Sequence, residues 1–379
     1  MADATIIMAG GSGTRLWPAS TPTRPKQLLR LGGGHSLIQQ AILRAAAATP
    51  EGPIVIVTHR DHVEPIAEHV AELDRTHTGP AGAGQPVSSR LAYLPEPVGR
   101  NTAPAIALGV RFLEQELGPH ASVLVLTADH VIRPLERFTA DAAVATALAA
   151  DGYLVTFGIT PTRPETGYGY IQAGDALAAG LVVDAFREKP DLATAEEYLR
   201  RGNFYWNSGM FAFTLGRFRD ELRAHEPEIA QSFDQADAGL RAIGRPDGAR
   251  ATDPDALRAV YEQLPKISID YAVMERSSRV AVVPASFAWN DVGSWDEAAA
   301  LSPSADDATP PQSASIVQVS GEDNYVDSEL PVAICGVSGL HVIVQNGKVL
   351  VCRRGESQLV KQAVEEAQAR GLEDFFRER

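Results

Sequence analysis

Cysteine is nearly absent from this 379-residue chain: only Cys335 and Cys352 occur, too few for a disulfide framework or a thiolate zinc site. A reducing compartment is expected. No run of about 18 apolar residues exists, so no transmembrane helix is predicted. The N-terminus, MADATIIMAGG, puts Asp3 where a signal peptide would want a basic residue. Basic residues are outnumbered, 34 Lys and Arg against 48 Asp and Glu, and the net charge of −14 argues against nucleic acid or an anionic membrane as partner. These absences predict a soluble cytoplasmic protein. What is present is ordinary: 45% apolar and 22% charged residues exclude disordered and fibrous classes. At roughly 100–200 residues per domain, the length suggests two domains.

The first 160 or so residues alternate short β-branched runs with helical patterns, the mark of a parallel α/β sheet. Strands are predicted over Thr5 to Ala9, Ile54 to Thr58, Leu91 to Leu94, Val123 to Thr127 and Tyr153 to Ile159. Helices are predicted over Ser36 to Ala48, from Asp61 to about Asp74 with Asp61 and Glu64 as a capping box, from Asn101 or Thr102 to Leu117, and over Glu136 to Ala150. Thr76 to Gln85 reads as a surface loop. Gly167 to Val283 mixes strands and helices less regularly, as an insertion over the sheet would. The stretch SPSADDATPPQSA, 302–314, reads as a linker between a domain of residues 1–301 and a small β-rich domain of 315–379. That last domain should hold strands Ser315 to Val319, Val332 to Gly336, His341 to Gln345 and Val349 to Cys352, then a helix from about Glu356.

The most informative segment is the first strand followed by GGSGTRLWP and RPKQLL. Glycines directly after a strand let backbone N–H groups close on phosphate oxygens where a side chain would block approach. Ala9, Gly10, Gly11, Gly13 and Thr14 are therefore candidate nucleotide-binding residues. No Gly-Lys-Ser/Thr follows, so this is not a Walker loop, and Leu16 replaces the third glycine of the dinucleotide fingerprint. Arg15 and Lys26 instead add two cations able to neutralise a triphosphate. Asp129 ends the run SVLVLTADH, at the carboxyl end of a buried strand, where open α/β sheets bind ligands and where a carboxylate suits Mg²⁺. An isolated Asp there more often caps the following turn. RNTAPAIA opens a helix whose free N–H groups, with Arg100, could bind phosphate or ribose; Asn101 and Thr102 serve equally as caps or ligand contacts.

Nine motifs in order, GGSGTRLWPAS, RPKQ, RNTAPAIA, ADH, GYGYI, FREKP, WNSGMF, SIDYAVME and WNDVGSW, resemble those of the mannose-1-phosphate guanylyltransferases, a family of the sugar-nucleotidyltransferase superfamily. The C-terminal QLVK is also similar. The resemblance implies a Rossmann-like catalytic domain with a mixed central sheet, and a β-rich C-terminal domain, with a left-handed β-helix as one form open to it, that helps form a homodimer. It implies attack by mannose 1-phosphate on the α-phosphorus of GTP, giving GDP-mannose and pyrophosphate with Mg²⁺ or another divalent metal. Asp291 then joins Asp129 as a metal carboxylate, so that Arg15, Lys26, Asp129 and Asp291 form the catalytic set. Glu188, Lys189, Gly169 and Asn207 hold the sugar phosphate, and Glu96 is a candidate partner for guanine's N1 and N2 donors. Thr127 and Thr21 depart from the family pattern, which bears on local loop shape rather than on reaction class. Longer relatives carry a phosphomannose isomerase domain, for which this chain has no room, so transferase activity alone is expected. The same chemistry on another hexose 1-phosphate, or a non-catalytic sugar-nucleotide-binding regulator, are the alternatives.

Overall fold

The computed structural model describes residues 1–11, 13–77, 85–235, 240–301 and 315–376. The expected linker, 302–314, and residues 78–84 of the expected loop lie outside these. The predicted alternation is observed as β1 (Ala4–Ala9), α1 (Leu37–Ala48), β2 (Ile54–His59), α2 (Val63–His77), β3 (Leu91–Glu96), α3 (Thr102–Leu117) and β4 (Ser122–Thr127). It continues through β5 (Val131–Arg133), α4 (Leu135–Ala150) and β6 (Leu154–Ile159). Then come β7 (Gly169–Leu177), β8 (Gly180–Glu188), α5 (Leu192–Arg201), β9 (Phe204–Thr214), α6 (Leu215–His225) and α7 (Pro227–Asp234). Short β10 (Ile243–Gly244) and β11 (Arg250–Ala251) precede α8 (Arg258–Gln263), β12 (Val280–Pro284), β13 (Ala288–Asn290) and α9 (Trp295–Leu301). The C-terminal region adds β14 (Ile316–Val319), β15 (Tyr325–Ser328), β16 (Val332–Cys335), β17 (Leu340–Gln345), β18 (Lys348–Arg353) and α10 (Leu359–Ala369).

The chain divides into two compact units: Met1–Gly10, Ala41–Ala128 and Ile132–Trp289 in the first, Gly11–Gln40, Asp129–Val131 and Asn290–Arg379 in the second. The first unit is built on a mixed sheet of eleven strands among the described residues, in the order β10-β11-β3-β2-β1-β4-β9-β6-β12-β8-β7. From β11 to β4 neighbours run parallel; β9 pairs antiparallel with both β4 and β6. β1 is fully paired on both sides, by β2 and β4, and its residues Ile6 and Ile7 are completely buried. α3 packs directly on it at Gly109, where a Cβ would come within 2.8 Å of Ile6 Cδ1. Because the order reverses on either side of β1, ligand chemistry is expected at the carboxyl ends of β1 and β4. These strands lead to Gly10 and Asp129.

The second unit gathers three distant stretches of chain on one apolar core, including Leu16, Trp17, Leu29, Leu37, Val292, Trp295, Ile343, Val360 and Val364. Trp295 is fully buried and its Nε1 donates to the Trp17 carbonyl at 3.0 Å. Its strands pair β14 with β16 and β15 with β17 in parallel, and β17 with β18 antiparallel.

The structure corrects several local readings. Asp61 does not cap α2: a single turn, Arg60–His62, comes first, and His59 accepts from the Asp61 N–H at 3.4 Å. The strands of the stretch expected as an insertion over the sheet are part of the sheet itself: β9 lies between β4 and β6, and β12, β8 and β7 follow β6 to the edge. β15 was not expected, because Asp327 breaks the apolar alternation; that side chain accepts from Gln345 Nε2 at 2.7 Å. α10 starts at Leu359 rather than near Glu356.

Candidate active site

In the second unit, Gly13 takes a left-handed conformation (φ 62°), which glycine adopts without steric cost. A Cβ there would lie 2.3 Å from Lys26 Cβ, so only glycine lets the loop seat against this lysine. Ser20 Oγ donates to the Gly13 carbonyl at 2.5 Å and holds the turn. Leu16 is buried at the end of the turn while Arg15, one residue earlier, stays exposed. Hydrophobic anchoring of Leu16 thus presents the Arg15 guanidinium to solvent.

Lys26 is buried, and its Nζ donates to Asp129 Oδ2 at 2.8 Å and to the backbone carbonyl of Asp291. Gly13, Thr14, Arg15, Leu16, Lys26, Asp129, His130, Asp291, Val292, Gly293 and Lys361 line one open cleft of about 290 Å³. All four residues of the predicted catalytic set therefore share it; Gly11 is exposed beside the turn. Burial would raise the Asp129 carboxyl, but the charges of Lys26 and then His130 outweigh it and hold the group below the usual carboxylate range.

The backbone is strained next to Asp291. Val292 is completely buried with φ at 48°, an outlier for a β-branched residue, and its N–H donates to Asn290 Oδ1 at 2.6 Å. Burial of the Val292 side chain in the core holds this conformation. Two carboxylates in one cleft are hard oxygen donors, the set that suits Mg²⁺ when substrate phosphates complete the shell. Among the described residues no three His, Cys, Asp or Glu side chains cluster to hold a metal by themselves.

In the first unit, the four sugar-phosphate candidates come together. β7 and β8 pair so that Gly169 faces Glu188, and a Cβ on Gly169 would be 2.5 Å from Glu188 Oε2. β8 ends at Glu188, and Lys189 turns with φ 48°, which brings its Nζ to 2.9 Å from Glu188 Oε1. The hydrogen bond with Glu188 raises the Lys189 pKa. Asn207 on β9 accepts from Thr156 Oγ1 at 3.0 Å and donates to Asp270 Oδ1 at 3.0 Å.

Asp270 was not singled out from the sequence. Burial first, then the nearby Glu188 carboxylate, push its carboxyl to about 6. The only signal was its place in SIDYAVME; nothing in local spacing marks it, because its partners come from β8 and β9. Lys361 was likewise unassigned, within QLVK.

The remaining nucleotide candidates also belong to the first unit. Ala9 accepts from Thr58 Oγ1 at 2.8 Å, and a Cβ on Gly10 would meet Glu96 Oε2 at 3.6 Å, so the β1 terminus and the end of β3 adjoin. Glu96 is 5% exposed, and burial drives its carboxyl up to about 8, opposed by the Tyr261 hydroxyl. Arg100 donates to the Tyr261 and Glu262 carbonyls, both at 2.7 Å. Asn101 is the cap of α3, accepting from the Thr102 N–H at 2.8 Å, and Thr102 Oγ1 accepts from the Ile269 N–H at 2.9 Å. Three of the side chains read as ligand candidates thus hold backbone in this structure.

A family model described as nucleotidyl transferase matches residues 4–307. The xanthan biosynthesis protein XanB of Xanthomonas campestris pv. campestris (strain B100) is 41% identical over 367 residues, covering 97% of this chain and 73% of that protein. RfbM of Salmonella typhimurium, a mannose-1-phosphate guanylyltransferase, is 38% identical over 95% of this chain and 71% of its own. A solved structure from Thermus thermophilus, described as a mannose-1-phosphate geranyltransferase, superposes with a TM-score of 0.76 at 33% identity, covering 97% of this chain and all of that one.

Proposed function

The chain belongs to the nucleotidyl transferase family, and from that premise we propose that it transfers GMP from GTP to mannose 1-phosphate, releasing pyrophosphate and leaving GDP-mannose. The observation that carries the proposal is the cleft in which Arg15, Lys26, Asp129 and Asp291 stand together beside a glycine turn. The sugar-phosphate nucleophile has a second pKa near 6 and is mostly ionised at neutral pH, so no general base is needed. Its oxygen bonds to the α-phosphorus as the bond to the α–β bridging oxygen breaks, and pyrophosphate leaves with that electron pair. The protein's work is positioning and charge neutralisation.

In this reading the N–H groups of Ala9, Gly10, Gly11, Gly13 and Thr14 and the Arg15 guanidinium receive phosphate oxygens. Lys26 steadies Asp129 and the Asp291 backbone. A divalent cation, Mg²⁺ in the first instance, held by those two carboxylates and by phosphate oxygens, would offset charge on the leaving pyrophosphate. Glu188, Asn207 and Asp270 order the sugar hydroxyls, the Gly169 N–H supports them, and Lys189 meets the sugar phosphate. Glu96 addresses guanine, with Arg100, Asn101 and Thr102 shaping the wall near it. The catalytic domain of this proposal is residues 1–301, with 302–314 as linker and 315–379 as a domain through which two copies associate. Exposed Val317, Val319, Val349 and Val351 on β14 and β18 support such a homodimer. Free Cys335 and Cys352 support a reducing cytoplasm, and no helix among the described residues is long and apolar enough to cross a membrane.

Pyrophosphate release with Mg²⁺ across GTP, ATP, UTP and dTTP, each with mannose 1-phosphate or glucose 1-phosphate, tests the proposal. The fastest release is expected from GTP with mannose 1-phosphate. A different best pair would move the substrate, and no release from folded, GTP-binding protein would favour a regulator.

A further inference from the structure

We infer that Lys361, from the C-terminal helix α10, is a third cation of the phosphate cleft and binds the β- and γ-phosphates of the nucleotide, the part that leaves as pyrophosphate. The inference rests on the nucleotidyl-transfer reading above. Lys361 lies beyond the 4–307 span of the family model, in the C-terminal region proposed above for association of two copies and given no part there in phosphate binding.

Its placement follows from packing inside one unit. Val360, Val364 and Ala367 recur at helical spacing and are buried, the first two in the same core as Leu16 and Trp295. This fixes α10 against the Thr14–Leu16 turn. Lys361, one residue along from Val360, is thereby turned to the flank of the buried face and into the lining shared with Arg15, Lys26, Asp129 and Asp291. The start of the helix is tied as well: Ser357 Oγ donates to Asp296 Oδ2 and the Gly355 N–H to Asp296 Oδ1 at 2.7 Å. Asp296 sits in α9, shortly after Asp291 in sequence. α10 is therefore built as a fixed wall of the cleft.

Charge accounts for what the lysine does there. Lys26 already directs Nζ to Asp129 and to the Asp291 carbonyl, which leaves little of its charge for the outer phosphates. The Lys361 side chain is 53% exposed and pairs with Glu365, a turn away at 3.5 Å. Surface pairs of this kind are weak, so exchange for a phosphate is favourable. With Lys26 engaged in steadying Asp129 and the Asp291 backbone, the exposed Arg15 and Lys361 are the lysine and arginine cations of this lining left to meet the outer phosphates.

The test is kinetics in both directions together with binding, on wild type, Lys361→Ala, Lys361→Met and Lys361→Arg. In Lys361→Ala the KM for pyrophosphate in the reverse reaction should rise about tenfold or more while the KM for GDP-mannose changes less than about twofold. By calorimetry GTP should bind about tenfold more weakly and GMP as tightly as to wild type. Lys361→Arg should recover most of the loss. Lys361→Met keeps the packing stem and replaces Lys361→Ala if that variant melts early. Unchanged pyrophosphate KM and GTP affinity in the alanine or methionine variant, or equal losses for GTP and GMP, would overturn the inference. Wild-type protein that releases no pyrophosphate with any nucleotide would instead overturn the transfer reading, and the GTP-against-GMP comparison would still decide the role of Lys361.

Discussion

A Cβ on Gly13 would stand 2.3 Å from Cβ of Lys26, closer than two carbons can approach without bonding. The glycine turn and the lysine are therefore one built object, though they come from separate motifs of the sequence. Gly13→Ala must also place a side chain at φ 62°. We expect a loss of about 1–3 kcal/mol in stability and at least about a hundredfold in kcat/KM, measured by denaturant unfolding and initial rates. Full activity in a stable variant would dismiss the turn as part of the site.

Asp129→Asn keeps the shape of the carboxylate but removes its charge from Lys26 and from any bound cation. Turnover should fall about a thousandfold with the fold retained by circular dichroism. Retained activity at saturating Mg²⁺ would exclude Asp129 as a metal carboxylate.

Gly169→Ala would drive a methyl group to 2.5 Å from Glu188 Oε2 and displace that carboxylate. We expect the KM for the sugar 1-phosphate to rise about tenfold, with the KM for GTP little changed. Equal effects on both substrates would argue that Glu188 serves neither sugar hydroxyl nor phosphate.

Glu96 titrates near 8 because burial disfavours its charged form. With the folded pKa above the unfolded value of about 4.3, the native state holds the extra proton between these limits. Stability should therefore be full below about pH 4 and be lost as pH rises through about 8. Glu96→Gln should flatten this dependence, leaving the variant the more stable of the two by about 1–3 kcal/mol at pH 9. Parallel melting curves from pH 5 to 9 would refute the assignment.

Asp296 behaves in the opposite sense. Burial alone would raise its carboxyl, but hydrogen bonds from His341 Nε2 at 2.8 Å, from Ser357 and from the Gly355 N–H hold it at about 2. A folded pKa below the unfolded one stabilises the protein above about pH 4, and the benefit is lost as pH falls toward 2. A third of the side chain meets solvent, so the contribution is discounted to about 1 kcal/mol. Asp296→Asn should lower Tm at pH 7, and the gap to wild type should close below pH 4 in a thermal-shift series.

Much of this was legible without coordinates. β1 to β4, α1, α3 and α4 fall within a residue or two of their predicted bounds, because each is read from local periodicity and capping. The readings that failed needed distant partners. Asp327 in β15 is tolerated by Gln345, β9 pairs with the sequence-distant β4 and β6, and Asp61 loses its cap role to a turn set by His59.

The sequence by itself carried the nine ordered motifs, whose family resemblance implies the reaction class, and the glycine turn, cations and carboxylate that a phosphate site needs. Which of them meet was decided only in the tertiary structure. Gly13 touches Lys26, Glu188 touches Gly169 and Lys189, and Asp270 joins Asn207. It also decided that Arg100 and Asn101 hold backbone, and that Lys361 turns into the cleft. The physical reason is common to all: hydrogen bonds and charges act over a few ångströms, and burial of Leu16, Val292, Val360 and their neighbours in shared cores sets which groups come that close.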